Sequence, residues 1–225
     1  MSAVAQPAPI LRYRTAAEMI AAHPGPTALY EANGAILLED SGLEFDEAFV
    51  HRLVFPPDWK KIGSINQMTV PPLVYAQGGF RRTANPLCRM IKEDWMLMKT
   101  YSELLRLEMG FKLKVADLLP RYRNVDWVNC TFRFTRTENE GPHLDVFNKG
   151  RPLPHRRPRL KLFLNVDSKP RIWNVGPTLP DVLRCSGGTL GASLPNEVNV
   201  LNHRINESGH LAQCGYARVE IPPRG

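Results

Sequence analysis

Hydrophobic and polar positions along the chain follow two different periods, and the first period is helical. The segment TAAEMIAA (15–22) places Thr15 three residues before Glu18, the order of a capping box, and this predicts a short helix. Two more elements are predicted nearby: a strand over GAILLED (34–40), and a helix over DEAFVHRLVF (46–55) capped by Asp46. The first part of the chain therefore reads as mainly helical.

The longest predicted helix begins at Asn85 and Pro86, where an asparagine cap precedes a proline in the first turn. Apolar residues recur beyond it at intervals of three and four as far as Gly110. The helix is therefore expected to extend as far as Gly110. The methionines in this stretch are interpreted as core residues.

From Trp127 onwards the period changes to two, which is the period of β-strands. The pattern predicts an antiparallel β-sandwich or barrel, covered on one face by the long helix. We expect one domain over residues 1–225, with 1–120 as mainly helical support and 121–225 as the β core. The predicted strands are VNCTFRFT (128–135), RLKLFLNV (159–166), EVNVLNHRI (197–205) and GYARVEI (215–221).

The composition is that of a globular protein with an excess of basic residues. The 225 residues are 43% hydrophobic and 23% charged, with a net charge of +7 that favours an anionic partner. The densest basic run, residues 151–159, is broken by prolines and has no accompanying nucleic-acid motif, so we do not expect nucleic-acid binding. No apolar run is long enough to span a membrane, and the N-terminus lacks a secretory signal, so a cytoplasmic location is expected.

Two residues carry the main chemical signal. His143 and Asp145 are two positions apart, so on a strand they would present an imidazole and a carboxylate to the same point. Two histidines and one carboxylate form the facial triad that holds Fe(II) in non-haem oxygenases. An H-x-D triplet alone is weak evidence, because many such pairs are ordinary surface residues.

The order of the later residues strengthens the iron interpretation. His203 follows Asp145 by 58 residues and Arg218 follows His203 by 15, which leaves room for a turn and a return strand. An arginine on the last strand can pair through two hydrogen bonds with the far carboxylate of 2-oxoglutarate. His210 is the alternative third ligand, although it leaves only eight residues before Arg218. Lys161 is a second cation that could help to hold the same carboxylate.

Four segments resemble the Kdo hydroxylase family of iron(II)/2-oxoglutarate oxygenases, which hydroxylate the 3-deoxy sugar acid of bacterial lipopolysaccharide. The resemblance covers roughly residues 50 to 185, and its most specific part is the asparagine-containing strand that continues into P-R-x-W. The segments are FPPDWKKIGSINQ (55–67), LLPRYRNVDWVNCTFRF (118–134), HLDVF (143–147) and LKLFLNVDSKPRIWNVGPTLPDVL (160–183).

The resemblance implies a double-stranded β-helix (jelly-roll, cupin-like) core and an Fe(II) site formed by His143, Asp145 and His203. It also implies 2-oxoglutarate as co-substrate, bound by Arg218 with Lys161, and O2 as oxidant. The retained carboxylate of Asp145 favours hydroxylation over halogenation. The expected partner is a sugar acid or another polar small molecule. The alternative from a different class is a cupin-like protein that binds an anionic ligand without catalysis.

Overall fold

A computed structural model describes residues 5–54, 61–62, 70–124, 131–133, 160–185, 198–207, 209 and 214–225. Within these ranges the strands form four two-stranded sheets. The predicted jelly-roll needs two larger sheets, and residues 134–159, which include His143 and Asp145, lie outside the described ranges, so the double-stranded β-helix stays a prediction.

The N-terminal part is a parallel strand pair connected through two short helices. Strands β1 (Ile10–Thr15) and β2 (Ala35–Asp40) pair in register from Ile10 opposite Ala35 to Thr15 opposite Asp40. The connection runs through α1 (Ala16–Ala21) and α2 (Gly25–Glu31). The predicted strand over 34–40 is confirmed, whereas β1 was not predicted.

The Thr15 half of the predicted capping box is present at the start of α1, whereas Glu18 bonds the residue before the cap and not the cap itself. The Thr15 hydroxyl accepts a hydrogen bond from the backbone N–H of Glu18 at 3.2 Å. The Glu18 carboxylate in turn accepts from the backbone N–H of Arg14 at 2.7 Å. The predicted cap of the next helix, α3 (Glu47–Val50), is also present, because the Asp46 carboxylate accepts from the N–H of Phe49 at 2.9 Å.

A short strand and a hairpin follow α3. Strand β3 (Lys61–Ile62) pairs antiparallel with β6 (Phe132–Arg133). Strands β4 (Leu73–Ala76) and β5 (Gly79–Arg82) form the hairpin, and its two turn residues, Gln77 and Gly78, both have positive φ. Positive φ at both positions is the requirement of a type I′ turn, whose twist matches that of the strands.

The predicted long helix is divided into two, and its expected end is wrong. Helix α4 (Leu87–Met90) stops where Ile91 becomes extended, and α5 (Asp94–Leu118) then continues for 25 residues, past Gly110. A Cβ at Gly110 would lie 2.8 Å from a methyl group of Leu43. The glycine therefore permits close packing inside the helix rather than ending it.

In its described residues, the C-terminal part contains two helices and one further sheet. After a 3-10 turn (Pro120–Tyr122) and β6, strand β7 (Arg171–Val175) pairs antiparallel with strand β8 (Ala217–Ile221). Strand β8 confirms the prediction over 215–221. The two helices are α6 (Leu179–Cys185) and α7 (Val198–Glu207).

Two predicted strands differ from the structure. Residues 160–166 are not part of any strand, and 198–207 are the helix α7. Among the α7 residues whose burial is described, Leu201 and Ile205 are buried and lie four positions apart, so their burial follows the helical period and not the alternation expected from the sequence. The predicted strand over 128–135 is represented by Phe132 and Arg133, and its other described residue is Thr131.

Helix α5 organises two of the three buried clusters. The first cluster consists of Leu87, Leu97, Tyr101 and Leu104, and the second of Tyr13, Met19, Leu118 and Leu119. The third consists of Val182, Leu201 and Ile205, which join α6 to α7. None of the helices in the described ranges is long and apolar enough to cross a membrane.

Candidate functional site

The residues at the centre of the predicted iron site fall outside the described ranges. His143, Asp145 and the alternative ligand His210 belong to this group, as does the basic run 151–159. Among the residues that are described, no group of three or more His, Cys, Asp or Glu side chains could hold a metal ion. A three-ligand iron site in this chain therefore requires ligands from outside those ranges.

The described residues on either side of the H-x-D pair are 131–133 before it and 160–185 after it. Before the pair, Phe132 packs against the first cluster, and after it, Leu160 packs against the second cluster. Both clusters include residues of α5, which is 25 residues long. The long helix thus supports both the entry to and the exit from the segment that contains His143 and Asp145.

His203 lies on the exposed side of α7. Its imidazole is 70% exposed, and its Nε2 is 3.0 Å from a carboxylate oxygen of Glu207, one helical turn further on. Because Leu201 and Ile205 are buried in the third cluster, the helix is fixed with His203 pointing away from the core. Metal-binding histidines commonly hold one ring nitrogen against a carboxylate in this way. An i to i+4 pair on a helix surface has the same geometry.

Arg218 lies on the exposed face of the sheet formed by β7 and β8. It is opposite Asn174 in the register, and its guanidinium is 3.8 Å from the carboxylate of Glu220 on the same face. The neighbouring residue Val219 is buried on the other face. The long ion pair leaves Arg218 weakly held, so a competing carboxylate can displace Glu220.

Lys161 contacts a different set of residues. Its ammonium lies 4.8 Å above the ring of Phe163, which packs edge to face on Trp173 with 4.1 Å between ring centroids. Trp173 is opposite Val219 in the register and so faces away from Arg218. The described contacts therefore place the two predicted carboxylate-binding cations on opposite faces of this sheet.

The backbone of Lys161 is anchored to the N-terminal part of the chain. Its N–H donates a hydrogen bond of 3.2 Å to the hydroxyl of Tyr30, on α2. Burial raises the pKa of Tyr30, and the hydrogen bond from Lys161 opposes this to a smaller extent. The tyrosine is consequently a neutral acceptor at physiological pH.

Asn165 connects the segment from Asn165 to Val175 to the C-terminus through hydrogen bonds. This role was not predicted from the sequence. Its side-chain N–H groups lie within hydrogen-bonding distance of the carbonyls of Lys169 at 3.0 Å and of Ile221 and Pro222 at 3.1 Å each. Its backbone N–H donates to the carbonyl of Gly225 at 2.8 Å. The only signal in the sequence is an asparagine in an otherwise apolar run, and here that asparagine is buried.

No family model matches the chain, and no curated protein or solved structure shows significant similarity to it.

Proposed function

We propose that the protein is an Fe(II)/2-oxoglutarate-dependent dioxygenase that hydroxylates an unactivated C–H bond of a polar, anionic small molecule such as a sugar acid. Succinate and CO2 are the co-products. The observation that carries the proposal is the attachment of the last strand, which contains Arg218, to the segment from Asn165 to Val175 through the Asn165 amide. That segment lies within residues 160–183, on which the predicted resemblance to the Kdo hydroxylase family chiefly depends.

The proposed ligand set is His143, Asp145 and His203, with His210 as the alternative third ligand. Two imidazoles and one carboxylate fit ferrous iron and leave three positions for the oxo acid and O2. Iron held by these residues would activate O2, which oxidises both the C–H bond and the 2-oxoglutarate that leaves as succinate and CO2. Because Nε2 of His203 contacts Glu207, the Nδ1 atom of the ring is the atom that would coordinate iron.

Arg218 is the proposed anchor for 2-oxoglutarate. A guanidinium offers two parallel N–H groups to a carboxylate, and the 3.8 Å pair with Glu220 leaves them loosely engaged. Lys161 remains a predicted second cation. Because its ammonium lies over Phe163, away from Arg218, we assign the larger share of co-substrate binding to Arg218.

Succinate release tests this proposal. The purified protein, supplied with ferrous iron, 2-oxoglutarate and O2, should form succinate, and a 3-deoxy sugar acid should accelerate the reaction if it is a substrate. Arg218→Met should raise the KM for 2-oxoglutarate by roughly tenfold or more, the loss expected for a charge-assisted carboxylate contact. Arg184→Met is the matched control, because Arg184 is also an exposed arginine paired with a nearby carboxylate, that of Asp181 at 3.0 Å.

Two results would contradict the proposal, the first at the level of the reaction and the second at the level of the 2-oxoglutarate anchor. If succinate stays at the level of a metal-free sample, the chain is better described as a cupin-like protein that binds an anionic ligand without catalysis. If Arg184→Met and Arg218→Met change the KM equally, the anchor is assigned to the wrong residue. The second result leaves the reaction itself intact, so the two failures are distinguishable.

A further inference from the structure

The hairpin of β4 and β5 exposes two aromatic side chains at its turn end. Tyr75 and Phe80 are each 71% exposed, and they face each other across the strands with 5.6 Å between ring centroids. Val74 is opposite Arg81 in the register, so it lies on the other face of the hairpin, and it is 40% exposed. Val70, which precedes β4, is 45% exposed. Exposed apolar groups that lie side by side commonly mark an interaction surface.

The hairpin is held firmly at its base, so the exposure is not that of a loose loop. The guanidinium of Arg82 donates to the carbonyls of Cys88 at 3.2 Å and Ile91 at 2.6 Å, and also to that of Lys92. It forms an ion pair of 2.6 Å with Asp94. One side chain thereby joins the end of β5 to the junction of α4 and α5.

The same contacts bring basic residues to the base of the hairpin. Arg81 is exposed next to Phe80, and the exposed residues Arg89 and Lys92 belong to the junction that Arg82 grips. Glu93 and Asp94 are exposed at the same junction, and Asp94 is paired with Arg82, so the basic residues outnumber the acidic ones there. Trp95 follows Asp94 and is 65% exposed. The hairpin therefore has an aromatic tip and a base with an excess of basic side chains, on a chain of net charge +7.

We propose that this hairpin docks the protein on an anionic membrane surface. Tyrosine and tryptophan are suited to the interface between headgroups and acyl chains, and exposed valines gain from leaving water there. Basic side chains beside them are attracted to anionic headgroups. The inference does not depend on the proposed oxygenase reaction.

The hairpin exposes apolar side chains on both of its faces, which favours a membrane over single-stranded nucleic acid. Tyr75 and Phe80 pair edge to face on one face, and Val74 is exposed on the other. A valine cannot stack on a base or bind a phosphate, whereas it gains free energy when it leaves water at a membrane interface.

Co-sedimentation of the full chain with lipid vesicles tests the proposal. We expect binding to vesicles of phosphatidylcholine with phosphatidylglycerol, little binding to phosphatidylcholine alone, and loss of binding at high salt. The double variant Tyr75→Ser/Phe80→Ser should lower the partition coefficient by roughly tenfold or more. Arg81→Gln should lower it by about fivefold, because one basic residue near an anionic surface is worth about that factor.

The control is a second pair of exposed apolar residues. Met109 and Leu113 are 56% and 69% exposed on α5, and Met109 is roughly 20 Å along the helix from Trp95. Met109→Ser/Leu113→Ser should leave vesicle binding unchanged. Binding should also shift the tryptophan emission to shorter wavelength, and Trp95→Phe should remove most of that shift.

Four results would overturn the proposal. The first is no binding to anionic vesicles, and the second is that Met109→Ser/Leu113→Ser loses as much vesicle binding as Tyr75→Ser/Phe80→Ser. The third is that the protein binds a single-stranded oligonucleotide and not vesicles. The fourth is that the protein forms a dimer, which Tyr75→Ser/Phe80→Ser disrupts, and does not bind vesicles. Circular dichroism of each variant establishes that it is folded. Because all substituted side chains are exposed, we expect each variant to fold.

Discussion

The side-chain amide of Asn165 donates to the backbone carbonyl of Ile221 at 3.1 Å, across 56 residues of sequence. The same amide donates to the carbonyl of Pro222, so one buried side chain connects the segment from Asn165 to Val175 to the end of β8. A buried donor that serves backbone carbonyls is costly to remove, because the carbonyls lose their partner without regaining water.

We therefore predict that Asn165→Ala lowers the free energy of unfolding by about 2–3 kcal/mol. Asn165→Asp should be at least as destabilising, because a carboxylate cannot donate to the carbonyls that the amide serves. Urea denaturation measures both. Ser168→Ala, at an exposed position nearby, should change stability by less than about 0.5 kcal/mol. If Asn165→Ala resembles this control, the amide contacts are not important for stability.

The contacts of Arg82 predict that Arg82→Lys lowers the free energy of unfolding more than Asp94→Asn does. Arg82→Lys should lower the free energy of unfolding by about 1–2 kcal/mol, because an ammonium cannot reach three carbonyls at once. Asp94→Asn removes only the exposed ion pair and should cost less than about 1 kcal/mol. Chemical denaturation distinguishes them, and an Asp94 variant that is the less stable of the two would contradict this interpretation.

The raised pKa of Tyr30 predicts how stability changes at alkaline pH. A tyrosine whose pKa is higher in the folded state contributes stability below pH 10, its ordinary value, and loses that contribution as the pH rises through the folded value. Tyr30→Phe should be less stable than wild type by about 1 kcal/mol at neutral pH, since it lacks the hydroxyl that accepts from Lys161. The difference should narrow above pH 10. If the difference in stability between wild type and Tyr30→Phe stays constant above pH 10, burial does not raise the pKa of Tyr30 in the folded protein.

The pair formed by His203 and Glu207 predicts a metal-dependent effect. If His203 binds iron through Nδ1, Glu207→Gln should weaken ferrous iron binding by roughly tenfold, because the carboxylate orients the ring. Without metal it should change stability only slightly, as an exposed pair at i and i+4 contributes about 0.3–0.5 kcal/mol. Equilibrium dialysis measures the affinity. An unchanged affinity would favour His210 as the third ligand.

Local signals in the sequence predicted local structure well. The caps formed by Thr15 with Glu18 and by Asp46 depend only on residues within one turn, so no distant contact can easily override them. Strand β2 was predicted for the same reason, since its apolar residues form a continuous run. The end of α4 at Met90 could not be predicted from local signals. The carbonyl of Ile91, the next residue, accepts a hydrogen bond from Arg82, which precedes the helix.

Features that depend on distant partners were not predicted. Gly110 was expected to end a helix, but the side chain that approaches it is Leu43, 67 residues away in the sequence. The segment around His203 has a pattern that fits both periods, and burial of Leu201 and Ile205 against Val182 selects the helix. The role of Asn165 depends on backbone carbonyls, which have no side-chain signature. The placement of His143 and Asp145 remains a prediction of the sequence.

The most direct test of the proposed function is anaerobic titration of the purified protein with ferrous iron and 2-oxoglutarate. Chelation of the iron by the oxo acid should produce a weak visible charge-transfer band. The band should disappear in His143→Ala, Asp145→Ala and His203→Ala and survive in His210→Ala. Loss in His210→Ala with survival in His203→Ala would exchange the third ligand and keep the function. No band under any condition, with iron content at background, would contradict the oxygenase.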